Sequence, residues 1–453
     1  MQARQLMLPE IETGDASPAA RNSGAVFSDP AFATNKQLPV HRWVPWIAGF
    51  SRDFVCGVLR GHLTEPGVVL DPFAGVGTTL VETMLAGHAA IGFEINPYAA
   101  LACRTKLQAY QVAVETLYGE TARFRQFYHE KMQSGYTPQS SSPCGFRTRA
   151  AFYSPQVLHK VLLLHDFIQT IPDAQVRELF LVAFAATMVR YSNYSYEPSL
   201  GRRVSAGKED IHDFPVAQTI IDKLAEMAED IAVVQATLAG KTPDIRVVNE
   251  SFFRCQEFLR PAAVDLIITS PPYLNNYHYN RNTRPQLYWL GFAEQPQDLK
   301  ELETANFGKY WQTVRERSCL ELDFVLPDSD IAERIQQLRS LNTERGIYGG
   351  NGWANYAAAY FNDCYRFAKS VDHALKPGGT ALIVIGNSIL QGVFIPTDQY
   401  LGKIAEAVGL ELVRIDIPRT TRVGNSIIQS GVRVAKAQDK HQLYEAVVEL
   451  RKR

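Results

Sequence analysis

The chain predicts an α/β fold with a mostly parallel sheet, an antiparallel edge strand and helical insertions. Two observations carry the parallel sheet. Short apolar runs, Val68 to Leu70 and Leu266 to Ile268, are each stopped abruptly, one by a glycine turn and the other by Pro271-Pro272. A chain leaving a sheet in that way marks the carboxyl edge, where open α/β sheets bind ligands. Helix-period segments also alternate with such runs, as crossover connections require. With 453 residues, 46% apolar and 21% charged, there is room for one large domain plus insertions.

In order, residues 1–33 are rich in Ala, Ser and Pro without a sustained period, which predicts a mobile arm. Pro39 to Ser51 follows with two tryptophans and a phenylalanine, then an amphipathic helix over Arg52 to Arg60. Val68 to Leu80 reads as strand, glycine turn and helix start, with Thr78 and Thr79 as hydroxyl caps. Ala89 to Phe93 is a second strand ending in Glu94. From about Tyr110 to Gly240 the periodicity is helical, over Val157–Ile168, Val176–Val189 and Ile220–Leu238, so 110–240 is assigned as a helical insertion. Ile245 to Ser251 gives a third strand and Val264 to Thr269 a fourth. Residues 296–352 form a second insertion, a candidate target-recognition region, ending in a flexible Gly346 to Gly352. The catalytic domain is then 34–109, 241–295 and 353–453. It closes with a helix at Asn355–Leu375, a strand at Ala381–Ile385, a helix at Asp398–Val408, a strand at Leu410–Ile415 and an antiparallel edge strand at Tyr444–Leu450.

Two stretches carry chemistry. In Asp71-Pro72-Phe73-Ala74-Gly75-Val76-Gly77-Thr78-Thr79, alternate glycines let a ligand approach the backbone. It is not a dinucleotide fingerprint, because Leu80 stands where a third glycine belongs, and it lacks the Gly-Lys-Ser/Thr of a phosphate loop. Glu94, at the end of the next strand, is placed to take both hydroxyls of a ribose. In Thr269-Ser270-Pro271-Pro272-Tyr273, a hydroxyl, a carbonyl on a stiff corner and an aromatic face suit a planar base with an exocyclic amine. The plainer reading is a strand ended by prolines with a packing tyrosine.

Together the two stretches resemble the S-adenosylmethionine-dependent amino-methyltransferases of DNA, which act on cytosine N4 or adenine N6. The resemblance covers roughly Pro39 to Ala100 and Ile245 to Leu450, and implies a Rossmann-like methyltransferase fold. It implies a cofactor site of Trp43, Phe50 and Ser51 in a covering segment; Asp71, Pro72, Phe73, Gly75, Gly77, Thr78 and Thr79 in the glycine loop; Glu94, Ile95 and Asn96 after the second strand; and Asn249, Glu250 and Ser251 after the third. Asn249-Glu250 departs from the family's usual Gly-Asp. Catalysis falls to Ser270, Pro271, Pro272 and Tyr273, with a flipped base, no covalent intermediate and no metal. Serine at the first position favours cytosine N4 over adenine N6. Pro143-Cys144 is the single Pro-Cys pair, in a loop, which speaks against cytosine C5 chemistry.

Tyr194, Arg202, Arg203, Tyr277, Arg281, Arg284, Arg419 and Arg422 lie in polar, aromatic or basic stretches and are candidate DNA contacts. The net charge of −1 gives no global drive toward nucleic acid, so such contacts must be local. Six scattered cysteines without a C-x-x-C pair, and no apolar run of membrane-spanning length, suit a reducing cytoplasm. The implied partners are double-stranded DNA and a separate restriction endonuclease. Rival readings are an RNA base methyltransferase and a non-catalytic module binding S-adenosylmethionine or DNA.

Overall fold

The computed structural model describes residues 26–28, 30, 32–46, 51–196, 199–274, 279–420 and 443–453. Seven strands form the main sheet: β1 (Val68–Asp71), β2 (Ala89–Phe93), β3 (Ile245–Val248), β4 (Val264–Thr269), β5 (Leu375–Gly386), β6 (Leu410–Thr420) and β7 (Tyr444–Lys452). Their spatial order is β6-β7-β5-β4-β1-β2-β3, so the order reverses between β1 and β4. All pairings from β3 to β5 are parallel.

β7 is antiparallel, as expected, but it is not the edge. It lies between β5 and β6, pairing Val447 with Val384 on one side and Leu450 with Leu412 on the other. The physical reason is in the side chains. Ala446, Val447, Val448 and Leu450 are all buried, a run apolar on both faces that only an interior strand can satisfy. β6 carries Glu411, Arg414 and Asp416, the charges that suit an edge.

Helices cover both faces. α1 (Arg52–His62) lays Phe54, Val55, Val58 and Leu59 on Val69, Leu266, Ile268, Leu382 and Val384 of one face. Each such side chain stabilises by roughly 1.5–3 kcal/mol when fully buried. Alternate residues of the same strands, Leu70, Ile267, Ala381 and Ile383, meet a second core on the other face. α2 (Thr78–Leu85) and α3 (Pro97–Gln108) follow β1 and β2.

Between α3 and β3 stand α4 (Val114–Gln133), α5 (Pro155–Gln169), α6 (Ala174–Thr187) and α7 (Val216–Leu238), with a short Tyr194–Tyr196/Leu200–Arg202 hairpin before α7. This bundle packs Phe124, Phe167 and Phe180 into one core with α2 and α3. After β4 comes α8 (Tyr279–Trp289), then α9 (Pro296–Ala305), α10 (Trp311–Val314) and α11 (Ile331–Ser340). α12 (Gly350–Ala374) and α13 (Thr397–Ala407) complete the β5 side.

Other expectations are corrected. The N-terminal stretch is tied down where it is described: the Val26 and Phe27 N–H groups both donate to Asp416 Oδ2, each at 3.0 Å. The glycines at 349 and 350 do not make a flexible linker. A Cβ at either would run into the Asn342 or Leu338 carbonyl, and Gly350 already opens α12. Among the described residues, no helix is long and apolar enough to cross a membrane.

Candidate functional site

The cavity sits at the carboxyl edge of the sheet, across β4, β1, β2 and β3. Its enclosed volume is about 120 Å³, and it opens to solvent. Pro72, Phe73 and Gly75 form its β1 wall; Glu94, Ile95 and Asn96 its β2 wall; Glu250 and Ser251 its β3 wall. Ser270, Pro271, Pro272 and Tyr273 close it from β4. The structure therefore brings the two chemistry-bearing stretches into one space.

The glycine turn is built by backbone geometry. Gly75 and Gly77 have φ of 51° and 91°, in the left-handed region. A Cβ on Gly75 would lie 3.2 Å from Trp46 Nε1, and one on Gly77 would lie 2.7 Å from Cys103 Sγ. Gly77, not a hydroxyl residue, caps α2, and no side chain caps it. Thr79 is engaged elsewhere: its hydroxyl donates to Asp71 Oδ2 at 2.6 Å.

Asp71 likewise does not line the cavity. Its Oδ1 accepts from Thr269 Oγ1 at 2.7 Å and from the Phe73 N–H at 3.0 Å. It is a buried tie joining β1, β4 and α2, and burial pushes its carboxyl up to about 6 against the pull of these hydrogen bonds. Gly77 and Thr78 also stay behind the cavity wall.

Glu94 faces the cavity and keeps some accessible surface there. Its Oε2 accepts from the Gly75 N–H at 2.8 Å and its Oε1 from the Asn96 N–H at 2.7 Å. The protein packed round the carboxylate pushes its pKa to about 7; the Asn96 and Gly75 N–H groups work against that, while the nearby Asp71 adds to it. Asn96 caps α3, accepting from the Tyr98 and Ala99 N–H groups, and its Nδ2 donates to Thr283 Oγ1 of α8 at 2.8 Å. Asn249 acts behind Glu94, donating to the Glu94 carbonyl at 2.7 Å.

The covering segment is represented by a different tryptophan from the one expected. Trp43 is fully buried, its Nε1 donating to Asp230 Oδ2 of α7 at 2.8 Å, with Val40 and Arg42 bound to the same carboxylate. Trp46 lines the cavity above Gly75. Ser51 caps α1 through Phe54 N–H at 3.1 Å and does not reach the cavity, and Phe50 lies outside the described residues. His41, buried against Glu82 at 2.7 Å, is structural; burial lowers its pKa.

At the β4 turn, Tyr360 Oη donates to the Pro272 carbonyl at 2.9 Å and fixes the corner. Tyr273 Oη donates to Glu445 Oε1 at 3.2 Å, and its ring lies against Gly386, where a Cβ would come within 2.9 Å. Ser270 Oγ reaches Tyr273 Oη at 3.5 Å.

The sequence reading missed Asn280 of α8 and the wall from Glu303 to Tyr310, which places the start of the second insertion beside the cavity. Lys309 Nζ, bound to the Thr304 and Asn306 carbonyls at 2.7 and 2.6 Å, holds that turn. Phe307, stacked on Phe253 and edge-on to Phe73, is its apolar anchor. Such walls have no local signature; their partners are far away in sequence.

Several candidate DNA contacts are engaged by other parts of the protein. Tyr194 is 8% exposed and stacks on Phe152. Arg202 pairs with Asp210 at 3.7 Å, Arg203 Nε donates to the Glu209 carbonyl, and Arg284 binds the Arg147 carbonyl between the Phe146 and Tyr288 rings. Arg281 is exposed. Tyr277, Arg422 and the side chain of Arg419 lie outside the described residues.

The residues present fit S-adenosylmethionine. A cavity-facing carboxylate oriented by two main-chain N–H groups suits paired ribose hydroxyls, and Gly75 leaves a cradle that a Cβ would fill.

Residues 27–103 match the model of a family described as DNA methylase. The chain is 24% identical over 441 residues to the type II methyltransferase M.BsoBI of Geobacillus stearothermophilus, covering 88% of this chain and 84% of that one. It is 24% identical over 438 residues to the type II methyltransferase M.AvaI of a Nostoc species, covering 90% and 87%. The type II methyltransferase M.MvaI of Kocuria varians is 21% identical over 347 residues, covering 74% and 73%.

Proposed function

We propose, for a chain that belongs to the N6/N4 DNA methylase family, that it methylates the exocyclic amine of a base flipped out of double-stranded DNA. The observation that carries this reading is the single cavity in which the Glu94–Gly75 cradle faces the Ser270–Tyr273 turn. The restriction-modification setting is supported by the type II relatives, and a separate partner endonuclease is proposed with it.

S-adenosylmethionine, when bound, supplies an electrophilic methyl group. Glu94 would take the ribose hydroxyls, Gly75 would give close main-chain approach, Trp46 would cover that side, and Glu250 and Ser251 would flank the adenine. The target amine is a weak nucleophile because its lone pair is shared with the ring. Ser270 Oγ and the Pro271 carbonyl accept its hydrogens, which holds the nitrogen in line and favours localisation of the lone pair. Tyr273 supplies an aromatic face for the base. Its hydroxyl bond to Glu445 and its seat on Gly386 limit how the ring can turn. Ser270 favours cytosine N4, with adenine N6 as the alternative base.

The test is methyl-labelled transfer to DNA by Ser270→Ala and Tyr273→Ala. Transfer should fall at least ~100-fold in each, with cofactor binding retained, because the cofactor rests on other strands. Normal methylation by both variants contradicts the assignment.

A further inference from the structure

Asn280 is 2% exposed and lines the reaction cavity, and its buried Nδ2 has no hydrogen-bond partner among the described residues. Leaving an amide donor buried and unsatisfied forfeits its hydration with nothing in return. The first turns of α8 are nonetheless held firmly. Thr283 accepts from Asn96 Nδ2 of α3 at 2.8 Å. Tyr196 Oη donates to the Asn282 carbonyl at 2.8 Å, and the Leu200 N–H to Asn282 Oδ1 at 2.9 Å, so the bundle's hairpin clamps the helix. Gln286 Nε2 reaches the Ala185 carbonyl of α6 at 3.3 Å. A preorganised, unsatisfied donor in a ligand cavity points to a ligand acceptor.

We infer that Asn280 reads the target base, donating from Nδ2 to the ring nitrogen beside the exocyclic amine; the inference rests on the proposed function. α8 is the first element after the Ser270–Tyr273 turn, whereas the cofactor cradle comes from β1, β2 and β3. Ser270 Oγ and the Pro271 carbonyl accept; Asn280 donates. That pattern complements an amine beside an unprotonated ring nitrogen, cytosine N4/N3 or adenine N6/N1. Thymine O4/N3 and the O6/N1 edge of guanine present a carbonyl beside a ring N–H and so oppose both halves of it. Asn280 thus selects amino bases and holds the amine in register.

The experiment uses the full chain and a duplex that the wild type methylates. Asn280→Ala and the isosteric Asn280→Asp, which loses the donor, are compared by kcat/KM for DNA, by calorimetric affinity for S-adenosylmethionine and by thermal melting. A second duplex replaces the target with its 3-deazacytosine or 1-deazaadenine analogue, in which C–H stands for the acceptor. Both variants should lose about 10- to 100-fold in kcat/KM with cofactor affinity within about 2-fold. The deaza target should penalise the wild type by a similar factor and Asn280→Ala hardly at all. Unchanged kcat/KM in both variants, a matching loss of cofactor affinity, or an equal deaza penalty in wild type and variant overturns the inference. If the wild type labels no DNA base, the proposed function falls and this inference with it. If Asn280→Ala does not fold, Asn280→Asp decides.

Discussion

The ends of β1 and β2 each carry a carboxylate, and the molecule uses them in opposite ways. Asp71 is saturated by protein: two threonine hydroxyls and a main-chain N–H consume its oxygens. Glu94 is held by main-chain N–H groups and faces the cavity. Both sit above the ordinary carboxylate range through burial, at about 6 and about 7. The difference lies in what satisfies the charge. A carboxylate satisfied by side chains of two other elements is a structural tie, and one cradled by a turn is left open to a ligand.

The largest effect that would break this comparison belongs to Asp71→Ala. It strands Thr79, Thr269 and the Phe73 N–H, and should cost roughly 3 kcal/mol in denaturant unfolding. Cofactor affinity of the folded fraction should change by no more than about 3-fold. A collapse of affinity at unchanged stability would reverse the roles. The raised pKa also gives a sign. Folded-state stability from Asp71 is fully present below the ordinary carboxylate pKa and is lost as pH rises through about 6. Asp71→Asn should flatten that part of the stability profile.

Glu94→Gln is the complementary change. Cofactor affinity should fall about 30-fold, or roughly 2 kcal/mol, with stability within about 1 kcal/mol of wild type. A smaller effect sharpens it. Ribose hydroxyls donate to the ionised form, so affinity should rise with pH and level off above about 7, being roughly 10-fold weaker one unit below that value. The slope should vanish in Glu94→Gln; if it persists there, another group titrates. The smallest effect is Thr269→Val, which removes one of Asp71's donors and should cost about 1 kcal/mol with cofactor affinity unchanged.

The two ends also show what the sequence could reveal. Glycines at 75 and 77, the acid at 94 and the Ser270–Tyr273 turn announce themselves because each is local: a positive φ, a strand end, a pair of prolines. The separation of roles between Asp71 and Glu94 was not visible. It depends on Thr269 and Thr79, which only the β1–β4 pairing brings together. Trp43 and Trp46 lie within one short segment, and Asp230 on distant α7 decides which is buried and which meets the cavity. The tyrosines and arginines near the hairpin resembled a nucleic-acid surface by composition, whereas Tyr196 clamps α8 and Tyr194 fills the bundle. The helical insertion reads as an appendage in sequence, yet its contacts reach α8 and hence Asn280.

The most direct test of the central claim is mass spectrometry of nucleosides from DNA incubated with the protein and methyl-labelled S-adenosylmethionine, beside an RNA control. The account predicts labelled N4-methylcytosine in DNA; labelled N6-methyladenine would keep the cavity's chemistry and change the base. Label on RNA alone, or on cytosine C5, would contradict the account.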